Sequence, residues 1–485
     1  MNKSIRLGAG IALLLIVALL VNFTVVQGFR EEKYAQSPLN SRTVVELRQI
    51  NRGQISAGGQ VLAESHPLED GSYQRTYPNM PWSFAPVLGY VSDQYGTSQI
   101  EAGYNGQLTG AGSGKSSRFL RTGLEQDVVG NSVELSIDPH LQALAYEQLS
   151  NRNYEGAIVA LRPSTGQVLA MASTPSYDPN AISNPDTAEG AWAEVNNNPG
   201  KPLLNHATQD QLPPGSIFKI VTTVAGLRNG YTPDSPLTGA PSITLPGTTV
   251  PLTNYAGQAC AGGGQVPLRT AFALSCNTAF VQMGMAVGAD ALREAAHGFG
   301  IGEQYDLGMP NATGSLGDLP GDAELGQSAI GQRDVTMTAL QAAVMAGTVA
   351  NEGRRMAPYV VNRVLSPDLR EIETAKPHML SDSITPEEAN TIKDLMFGSE
   401  RDTWGYDGNG FASKTGTAEH AEGAAPHTWY VAFDPVKDVA VGVVVKNGGG
   451  LGTGATGGQV SAPLGRAVLY AAPAAPADEE GTNAR

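Results

Sequence analysis

The sequence predicts a mixed α/β fold of the α+β type, in which helices pack on an antiparallel sheet. Three observations support this prediction. Strand-like apolar runs form a hairpin between residues 157 and 172, helical patterns follow between residues 216 and 397, and strand-like runs return between residues 411 and 445. Strands, then helices, then strands are typical of helices layered on one sheet. At 485 residues the chain is long enough for two or three domains.

The N-terminus predicts a single transmembrane anchor at residues 7–27. The run over residues 7–26 is apolar with two polar interruptions, which is about the length that crosses the hydrocarbon core of a bilayer. Lys3 and Arg6 precede it, so residues 1–6 are expected in the cytoplasm and the remainder on the extracytoplasmic side of the cell membrane. A cleaved signal peptide is the alternative, but no small-x-small cleavage site follows the run.

Residues 28–132 are expected to form a small, mainly-β extracytoplasmic module. This part is polar, glycine-rich and poorly periodic, with short strand-like pieces at residues 54–62 and 87–91. The net charge of the whole chain is -15, which argues against a nucleic-acid partner because such partners require clustered Lys and Arg.

Residues 133–470 are expected to form the main domain. Its first helix is predicted to begin at Asp138-Pro139, since proline is favoured in the first turn. The tail over residues 471–485 is rich in Ala, Pro and acidic residues and is expected to be disordered. Further helices are predicted at residues 268–287, 291–299, 338–350 and 385–397, strands at residues 411–419, 428–433 and 439–445, and a short helix-like segment at residues 464–469.

The stretch from Pro213 to Lys219 is the strongest local signal in this domain. Two prolines push the residues before them out of the helical region, so a helix can begin only after them. The residues that follow are apolar on every side, which is typical of a buried helix. Ser216 then lies in the first turn, with Lys219 one turn later on the same side. A hydroxyl beside an amine that takes its proton is a candidate nucleophile, whereas an N-cap serine with a surface lysine is the alternative.

Two further motifs weigh against that alternative. The segment Ser275-Cys276-Asn277 follows an apolar helical stretch, and the segment from Lys414 to Thr417 lies on a predicted strand. Each motif alone arises by chance. Together with the serine–lysine pair, in this order, they are the S-x-x-K, S-x-N and K-T-G set found in serine β-lactamases and penicillin-binding proteins.

With these motifs the chain resembles the class B penicillin-binding proteins, from the anchor to about residue 470. It departs from the commonest pattern at Cys276, in the middle of the second motif, and at Thr208-Gln209. Neither departure removes a chemical group. The other matching segments are Arg52-Gly53-Gln54-Ile55, Leu88-Gly89-Tyr90, Leu203-Leu204-Asn205-His206-Ala207, Ile330-Gly331-Gln332 and Gly457-Gly458.

The resemblance implies a peptidoglycan D,D-transpeptidase that cross-links stem peptides through an acyl-enzyme and is acylated by β-lactams. Residues 133–470 would form a transpeptidase domain of the penicillin-binding and β-lactamase fold, with residues 28–132 as its pedestal or dimerisation-like module. The expected ligands are stem peptides ending in D-Ala-D-Ala and β-lactam antibiotics, and the expected protein partner is a membrane glycan polymerase. Neither a cofactor nor a metal is expected, since the seven histidines are scattered.

The resemblance assigns catalytic roles to Ser216, Lys219, Ser275 and Asn277. Ser216 would be the nucleophile and Lys219 would take its proton. That role requires burial and a neighbouring cation to lower the pKa of Lys219 from its ordinary value of ~10.4. Ser275 would relay a proton to the leaving nitrogen, and Asn277 would hold the substrate amide and orient Lys219.

The resemblance also assigns substrate and β-lactam binding to Lys414, Thr415, Gly416 and Thr417. The ammonium of Lys414 and the hydroxyls of Thr415 and Thr417 would bind the terminal carboxylate of the peptide. Lys414 would also be the cation that lowers the pKa of the catalytic lysine. Backbone N–H groups of Thr417 and of the first helical turn would bind the oxyanion.

Cys260 and Cys276 are the only cysteines in the chain. In an exported chain an even pair is readable as a disulfide, which would stabilise the fold by ~3 kcal/mol for a loop of this size. Two buried free thiols are the alternative, because sequence does not reveal whether the two Cβ atoms meet.

Other activities remain open for the same site. Attack by water in place of an acceptor amine would give a D,D-carboxypeptidase, and fast attack by water on a penicilloyl-enzyme would give a β-lactamase. The module at residues 28–132 argues against a bare β-lactamase, which needs neither anchor nor pedestal. A non-catalytic scaffold or β-lactam sensor is the second class of alternative.

Overall fold

The computed structural model describes residues 2–29, 48–110, 129–421 and 423–475. The first helix, α1 (Asn2–Phe29), contains the apolar stretch Ile5–Val25, which is long and apolar enough to cross a membrane. An N-terminal apolar helix was expected here, and it fits a single-pass membrane protein. The last ten residues of the predicted tail and the segment that joins α1 to the module lie outside the described residues.

The remaining helices lie singly or in groups between the strands. In chain order they are α2 (Pro81–Leu88), α3 (Gln99–Gly103), α4 (Asn105–Leu108), α5 (Pro139–Ser150), α6 (Pro179–Ser183), α7 (Ala188–Asn197), α8 (Lys219–Arg228), α9 (Leu268–Ala273), α10 (Asn277–Val287), α11 (Ala289–Gly298), α12 (Asp322–Ser328), α13 (Ala339–Ala350), α14 (Pro386–Asp402) and α15 (Gly457–Ala471).

The strands form two principal sheets and several short pairs. In chain order they are β1 (Ile55–Ala57), β2 (Gln60–Pro67), β3 (Tyr73–Thr76), β4 (Val91–Ser92), β5 (Gly96–Thr97), β6 (Ser132–Leu135), β7 (Gly156–Leu161), β8 (Val168–Thr174), β9 (Pro236–Thr238), β10 (Ser242–Thr244), β11 (Pro251–Thr253), β12 (Gln265–Pro267), β13 (Arg354–Met356), β14 (Val361–Leu365), β15 (Glu371–Thr374), β16 (Met379–Asp382), β17 (Ala412–Ala418), β18 (His427–Asp434) and β19 (Val439–Val445).

The main sheet has five strands in the order β17–β18–β19–β7–β8, and all of its pairs are antiparallel. The predicted hairpin and the three predicted C-terminal strands are therefore confirmed. Alternate residues of β18 face different cores: Trp429 and Val431 pack with the helical block, whereas Tyr430 and Ala432 pack with α5 and α15. Burial of both faces explains why the central strands are continuous apolar runs.

The predicted start of the first helix of the main domain is confirmed. Oδ1 of Asp138 accepts hydrogen bonds from the backbone N–H groups of His140 at 2.8 Å and Leu141 at 3.0 Å. Pro139 occupies the first helical position, where its missing N–H carries no cost. This N-cap fixes where α5 begins on the outer face of the sheet.

Three predicted elements are wrong in type or extent. Residues 87–91 were expected to be a strand, but α2 runs to Leu88, because Pro81 starts a helix whose apolar residues are buried and show no strand alternation. Residues 268–287 were expected to be one helix and are two, α9 and α10, separated at Ser275. The segment at residues 464–469 belongs to the longer α15, which begins at a Thr456 N-cap.

The N-terminal module contains a sheet of six strands in the order β15–β14–β6–β1–β2–β3. The strand predicted at residues 54–62 is a hairpin, since Gly58 and Gly59 turn the chain between β1 and β2. Strands β14 and β15 come from residues 361–374, far along the chain. The predicted boundary between residues 132 and 133 therefore falls inside β6, within a sheet to which both segments contribute.

A buried ion cluster lies in the core of this module. The Glu101 carboxylate is 2.7 Å from Nη2 of Arg52 and 2.6 Å from Nε of Arg75, and all three side chains are almost fully buried. The two guanidinium groups hold the pKa of Glu101 below its ordinary value despite the burial. The cluster joins β3 to α3 and to the chain before β1.

Residues 471–475 were expected to belong to a disordered tail, but the structure describes them as packed on the main domain. Residue 471 ends α15, and Nη2 of Arg162 donates to the carbonyl oxygen of Ala474 at 3.0 Å. The N–H of Ala475 donates to the carbonyl oxygen of Lys437 at 3.1 Å. Residues 472–475 therefore pack on the main domain.

Candidate active site

Ser216 lies in a 3-10 turn, Gly215–Phe218, that runs directly into α8. The turn is held from behind, because Gly215 adopts a φ of 55° and its N–H donates to the carbonyl oxygen of Gly331 at 2.9 Å. Ile217 and Phe218 are fully buried, whereas Ser216 is partly exposed. The sequence therefore anchors the turn by its apolar residues and leaves its hydroxyl accessible to a ligand.

Lys219 joins the first motif to the second. Its Nζ donates to the Ser275 carbonyl oxygen at 2.7 Å and to Asn277 Oδ1 at 2.8 Å, and lies 3.2 Å from Ser275 Oγ. The side chain is fully buried. Burial, and after it the positive charge of Lys414, hold the pKa of Lys219 well below its ordinary value. An amine with a lowered pKa can accept a proton near neutral pH.

The break between α9 and α10 aims the second motif at this amine. Ser275 adopts a φ of 60°, a left-handed conformation that is uncommon for a residue other than glycine. The chain then restarts as a helix at Asn277, whose Nδ2 donates to the Thr253 carbonyl oxygen at 3.0 Å. This break turns the carbonyl and the hydroxyl of Ser275 towards Lys219, which a continuous helix would not allow.

A disulfide between Cys260 and Cys276 braces the same break. It joins the N-cap of α10 to the loop that follows the short hairpin of β10 and β11. Of the two alternatives left open by the sequence, the structure has the bridge. The hairpin, the disulfide and Asn277 together form one wall beside the serine–lysine pair.

Strand β17 carries the third motif along the opposite side. It is an edge strand, and a Cβ atom placed on Gly416 would lie 2.6 Å from the carbonyl oxygen of Pro214. Glycine at this position therefore allows the strand to lie against the turn that carries Ser216. Thr415 and Thr417 are partly exposed, and Oγ1 of Thr417 accepts a hydrogen bond from the N–H of Gly457 at 3.3 Å.

Lys414 is fully buried beside Lys219 but has fewer polar partners. Its Nζ donates to the Thr415 carbonyl oxygen at 3.2 Å. Burial lowers the pKa of Lys414 to about 7. The Lys414 ammonium thus has a single hydrogen-bond partner, and only part of the population carries the charge near neutral pH.

The structure brings the predicted residues of all three motifs close to one another. Hydrogen bonds connect Lys219 to Ser275 and Asn277, and close backbone packing places β17 against the Ser216 turn. A hydroxyl, a buried amine, a second hydroxyl and a buried cation on a strand edge are the groups that serine acyl transfer requires.

Comparisons with known proteins agree with this chemistry. The profile described as penicillin binding protein transpeptidase domain matches residues 156–470, which is well over half of the chain. The chain belongs to the penicillin-binding protein transpeptidase family. A second profile, penicillin binding protein A dimerisation domain, matches residues 52–133. The family predicted from the three motifs is confirmed.

Relatives of this penicillin-binding protein match over nearly the whole chain. It is 42% identical to the peptidoglycan D,D-transpeptidase PbpA of Mycolicibacterium smegmatis over 97% of this chain and 99% of the relative. It is 41% identical to the PbpA of Mycobacterium tuberculosis over the same shares. The ceftriaxone acyl-enzyme complex of penicillin-binding protein A from M. tuberculosis superposes with a TM-score of 0.83, at 40% identity, covering 88% of this chain and 99% of that one.

The sequence leaves open whether Trp429 lines the substrate groove or packs in the sheet, and it does not single out Phe272 or Phe280. Trp429 is fully buried and its Nε1 donates to the carbonyl oxygen of Pro213 at 2.8 Å, so it holds the entrance to the Ser216 turn. Phe272 and Phe280 place their rings near the two lysines. The spacing of the two phenylalanines from the second motif could have identified them. Phe272 lies three residues before Ser275, and Phe280 lies three residues after Asn277.

Proposed function

We propose that this chain is a peptidoglycan D,D-transpeptidase that forms an acyl-enzyme on Ser216 and is acylated there by β-lactams. The observation that carries the proposal is the environment of Lys219. This lysine is buried, its Nζ is hydrogen-bonded to both Ser275 and Asn277, and its pKa is lowered. The PbpA relatives bear the same activity in their names, and solved structures of penicillin-binding protein A are β-lactam acyl-enzymes.

The first half of the reaction forms an ester. The neutral Nζ of Lys219 takes the proton of Ser216 Oγ as that oxygen attacks the carbonyl carbon between the two D-Ala residues of the donor peptide. Backbone N–H groups of Ser216 and Thr417 stabilise the oxyanion of the tetrahedral intermediate. The C–N bond then breaks as Ser275 gives its hydroxyl proton to the leaving D-Ala amine and takes up the proton held by Lys219, which leaves that lysine neutral for the second half.

The second half transfers the acyl group. The acceptor amine of another stem peptide attacks the ester carbon, its proton passes to Lys219, and the C–O bond to Ser216 breaks as that oxygen regains a proton. Water in place of the amine would give a carboxypeptidase product, and rapid attack by water on a penicilloyl ester would give a β-lactamase.

Substrate recognition rests on the strand edge of β17. Lys414 and the hydroxyls of Thr415 and Thr417 bind the terminal carboxylate of the donor, and Gly416 allows the strand to approach the serine. Asn277 holds the amide of the donor peptide from the opposite wall and orients Lys219. The buried state of Lys414 supports this role, because a carboxylate would compensate its charge.

The membrane arrangement is part of the same proposal. The helix α1 anchors the chain with residues 1–6 in the cytoplasm and the catalytic domain on the extracytoplasmic side, where the glycan strands lie. The partner is a membrane glycan polymerase that contacts α1 and the N-terminal module. Replacing residues 7–27 by an unrelated membrane span should reduce co-purification with that polymerase, and unchanged recovery would contradict this contact.

Intact-mass spectrometry tests the acyl-enzyme directly. The full chain in detergent is incubated with penicillin G beside the Ser216→Ala variant. We expect one covalent penicilloyl adduct on the wild type, lost slowly, and none on the variant. No adduct on either protein would contradict the proposed function, and fast drug turnover without an adduct would make the chain a β-lactamase.

A further inference from the structure

Two buried aromatic rings lie beside the two lysines of the site. The ring centroid of Phe280, on α10, is 5.4 Å from Nζ of Lys219, and that of Phe272, on α9, is 5.8 Å from Nζ of Lys414. Both rings are fully buried, and their centroids are 6.2 Å apart. An ammonium within about 6 Å of a ring centroid is attracted by the ring quadrupole, most strongly where water is excluded.

The two lysines depend on these rings to different degrees. Nζ of Lys219 has three hydrogen-bonding partners, two on Ser275 and one on Asn277. The ammonium of Lys414 donates to one carbonyl oxygen at 3.2 Å, and its side chain is closed off from solvent. The contact with Phe272 therefore contributes a larger share of the stabilisation of a charge on Lys414. The contact with Phe280 contributes a smaller share for Lys219.

We propose that Phe272 is a positioning residue for acylation, whose ring face keeps Lys414 charged and in place to receive the carboxylate of the donor peptide or β-lactam. The role rests on the proposed function, since it acts through Lys414 in that reaction. Phe280 makes the same contact with Lys219, whose Nζ already has three hydrogen-bonding partners. It is therefore the matched comparison within the same core.

Charged neighbours do not supply this stabilisation for Lys414. Lys219, on α8, interacts directly with Lys414, and when Lys219 is protonated this interaction is repulsive. No carboxylate of the described residues lies within ion-pair distance of either lysine. Among the charged groups on the surrounding elements, Glu400 on α14 is bound by Ser413, Tyr430 and Arg466. His427 lies at the far end of β18, opposite Ala418, and the exposed Arg269 on α9 pairs with Asp234.

The consequence lies near neutral pH. Burial brings the pKa of Lys414 to about 7, so even a modest change in the stabilisation of its charge alters the fraction that is protonated under working conditions. Weakening the ring quadrupole disfavours the charged form and lowers this pKa further. The acylation rate constant would then begin to fall at a lower pH on the basic side of its pH profile, because neutral Lys414 does not attract the carboxylate.

A fluorinated phenylalanine series tests this role while preserving the volume of the side chain. Mono-, di- and trifluorophenylalanine are placed at position 272 of the full chain in detergent, and the second-order rate constant of acylation by penicillin G is measured against pH. We expect the basic midpoint to fall stepwise, by about one pH unit over the series. The same series at position 280 should move it by less than a third as much.

Two controls assign the result. Lys414→Arg should abolish the basic limb over this pH range, because a guanidinium does not lose its proton there. Thermal unfolding of each variant separates the effect from loss of fold. If the basic midpoint does not change with fluorination at position 272, or shifts equally at both positions, the proposed role of Phe272 is overturned and the proposed function is not. A wild type that is not acylated at any pH would overturn the proposed function and this role together.

Discussion

The N-terminal module and the active site both bury cationic side chains but give them different partners. In the module, Arg52 and Arg75 share the carboxylate of Glu101 at 2.7 Å and 2.6 Å. In the active site, Lys219 and Lys414 are as deeply buried, and no carboxylate of the described residues pairs with either. A buried cation with its counter-ion supports the fold, whereas a buried cation without one keeps its pKa low enough for chemistry.

Replacement of Lys219, the proposed proton acceptor, is expected to lower activity without lowering stability, and this is the largest effect. We expect Lys219→Met to lower the acylation rate constant by ~10²–10⁴-fold, because the proton acceptor is lost. The melting temperature should stay the same or rise, since an apolar side chain replaces an uncompensated buried amine. Gel-based penicillin labelling and thermal unfolding measure the two effects, with Lys376→Met, an exposed position, as the control.

The opposite result is expected in the module. Glu101→Gln removes the shared counter-ion and leaves two buried guanidinium groups without a negative charge, which should lower the free energy of unfolding by ~3–5 kcal/mol. The acylation rate constant of the folded fraction should not change. Denaturant titration compares this variant with Glu69→Gln, an exposed residue of the same module. A large loss of acylation in folded Glu101→Gln would contradict the separation of roles.

The wall of the active site is stabilised covalently instead of by ion pairs. Replacing both Cys260 and Cys276 by serine should lower the free energy of unfolding by ~3 kcal/mol, since the bridge closes a loop of this size. A reducing agent should destabilise the wild type by a similar amount and leave the double variant unchanged. If the reducing agent destabilises both proteins equally, the disulfide is not the source of the stabilisation.

The most gradual effect is the pH dependence of stability, which is spread over several pH units. The pKa of Lys414 falls to about 7 on folding, so the unfolded chain binds more protons than the folded chain between pH 7 and the ordinary lysine value. Stability should therefore rise with pH over this window, by at most ~1.4 kcal/mol per pH unit from this group. In denaturant titrations from pH 7 to 10, the free energy of unfolding of Lys414→Met should rise less steeply with pH than that of the wild type. Equal slopes for the two proteins would mean that the lysine is not desolvated.

The sequence predicted the parts of the molecule that depend on local chemistry. The three motifs carry their spacing and their side chains in the chain itself, and the central strands and α5 carry apolar periodicity or a cap. The family and the clustering of the motifs followed from these signals. The same local reasoning identified both lysines as members of one site.

The remainder depends on contacts that sequence does not display. A serine with a φ of 60° at Ser275 follows from packing against Lys219, and no local preference of serine predicts the resulting break in the helix. Pairing of β14 with β6 joins residues more than two hundred positions apart. The rings of Phe272 and Phe280 gained meaning only when the lysines were placed above them.

The path of the chain through the module has a consequence for its mechanics. The chain leaves the six-stranded sheet after β6, returns to it as β14 and β15, and then continues through β16 and α14 into β17, the strand that carries Lys414. Three cuts, not one, are needed to free the module from the catalytic domain, because the chain crosses between them after β6, before β14 and after β15. A pull on the module is therefore transmitted through the covalent chain to the edge strand of the active site.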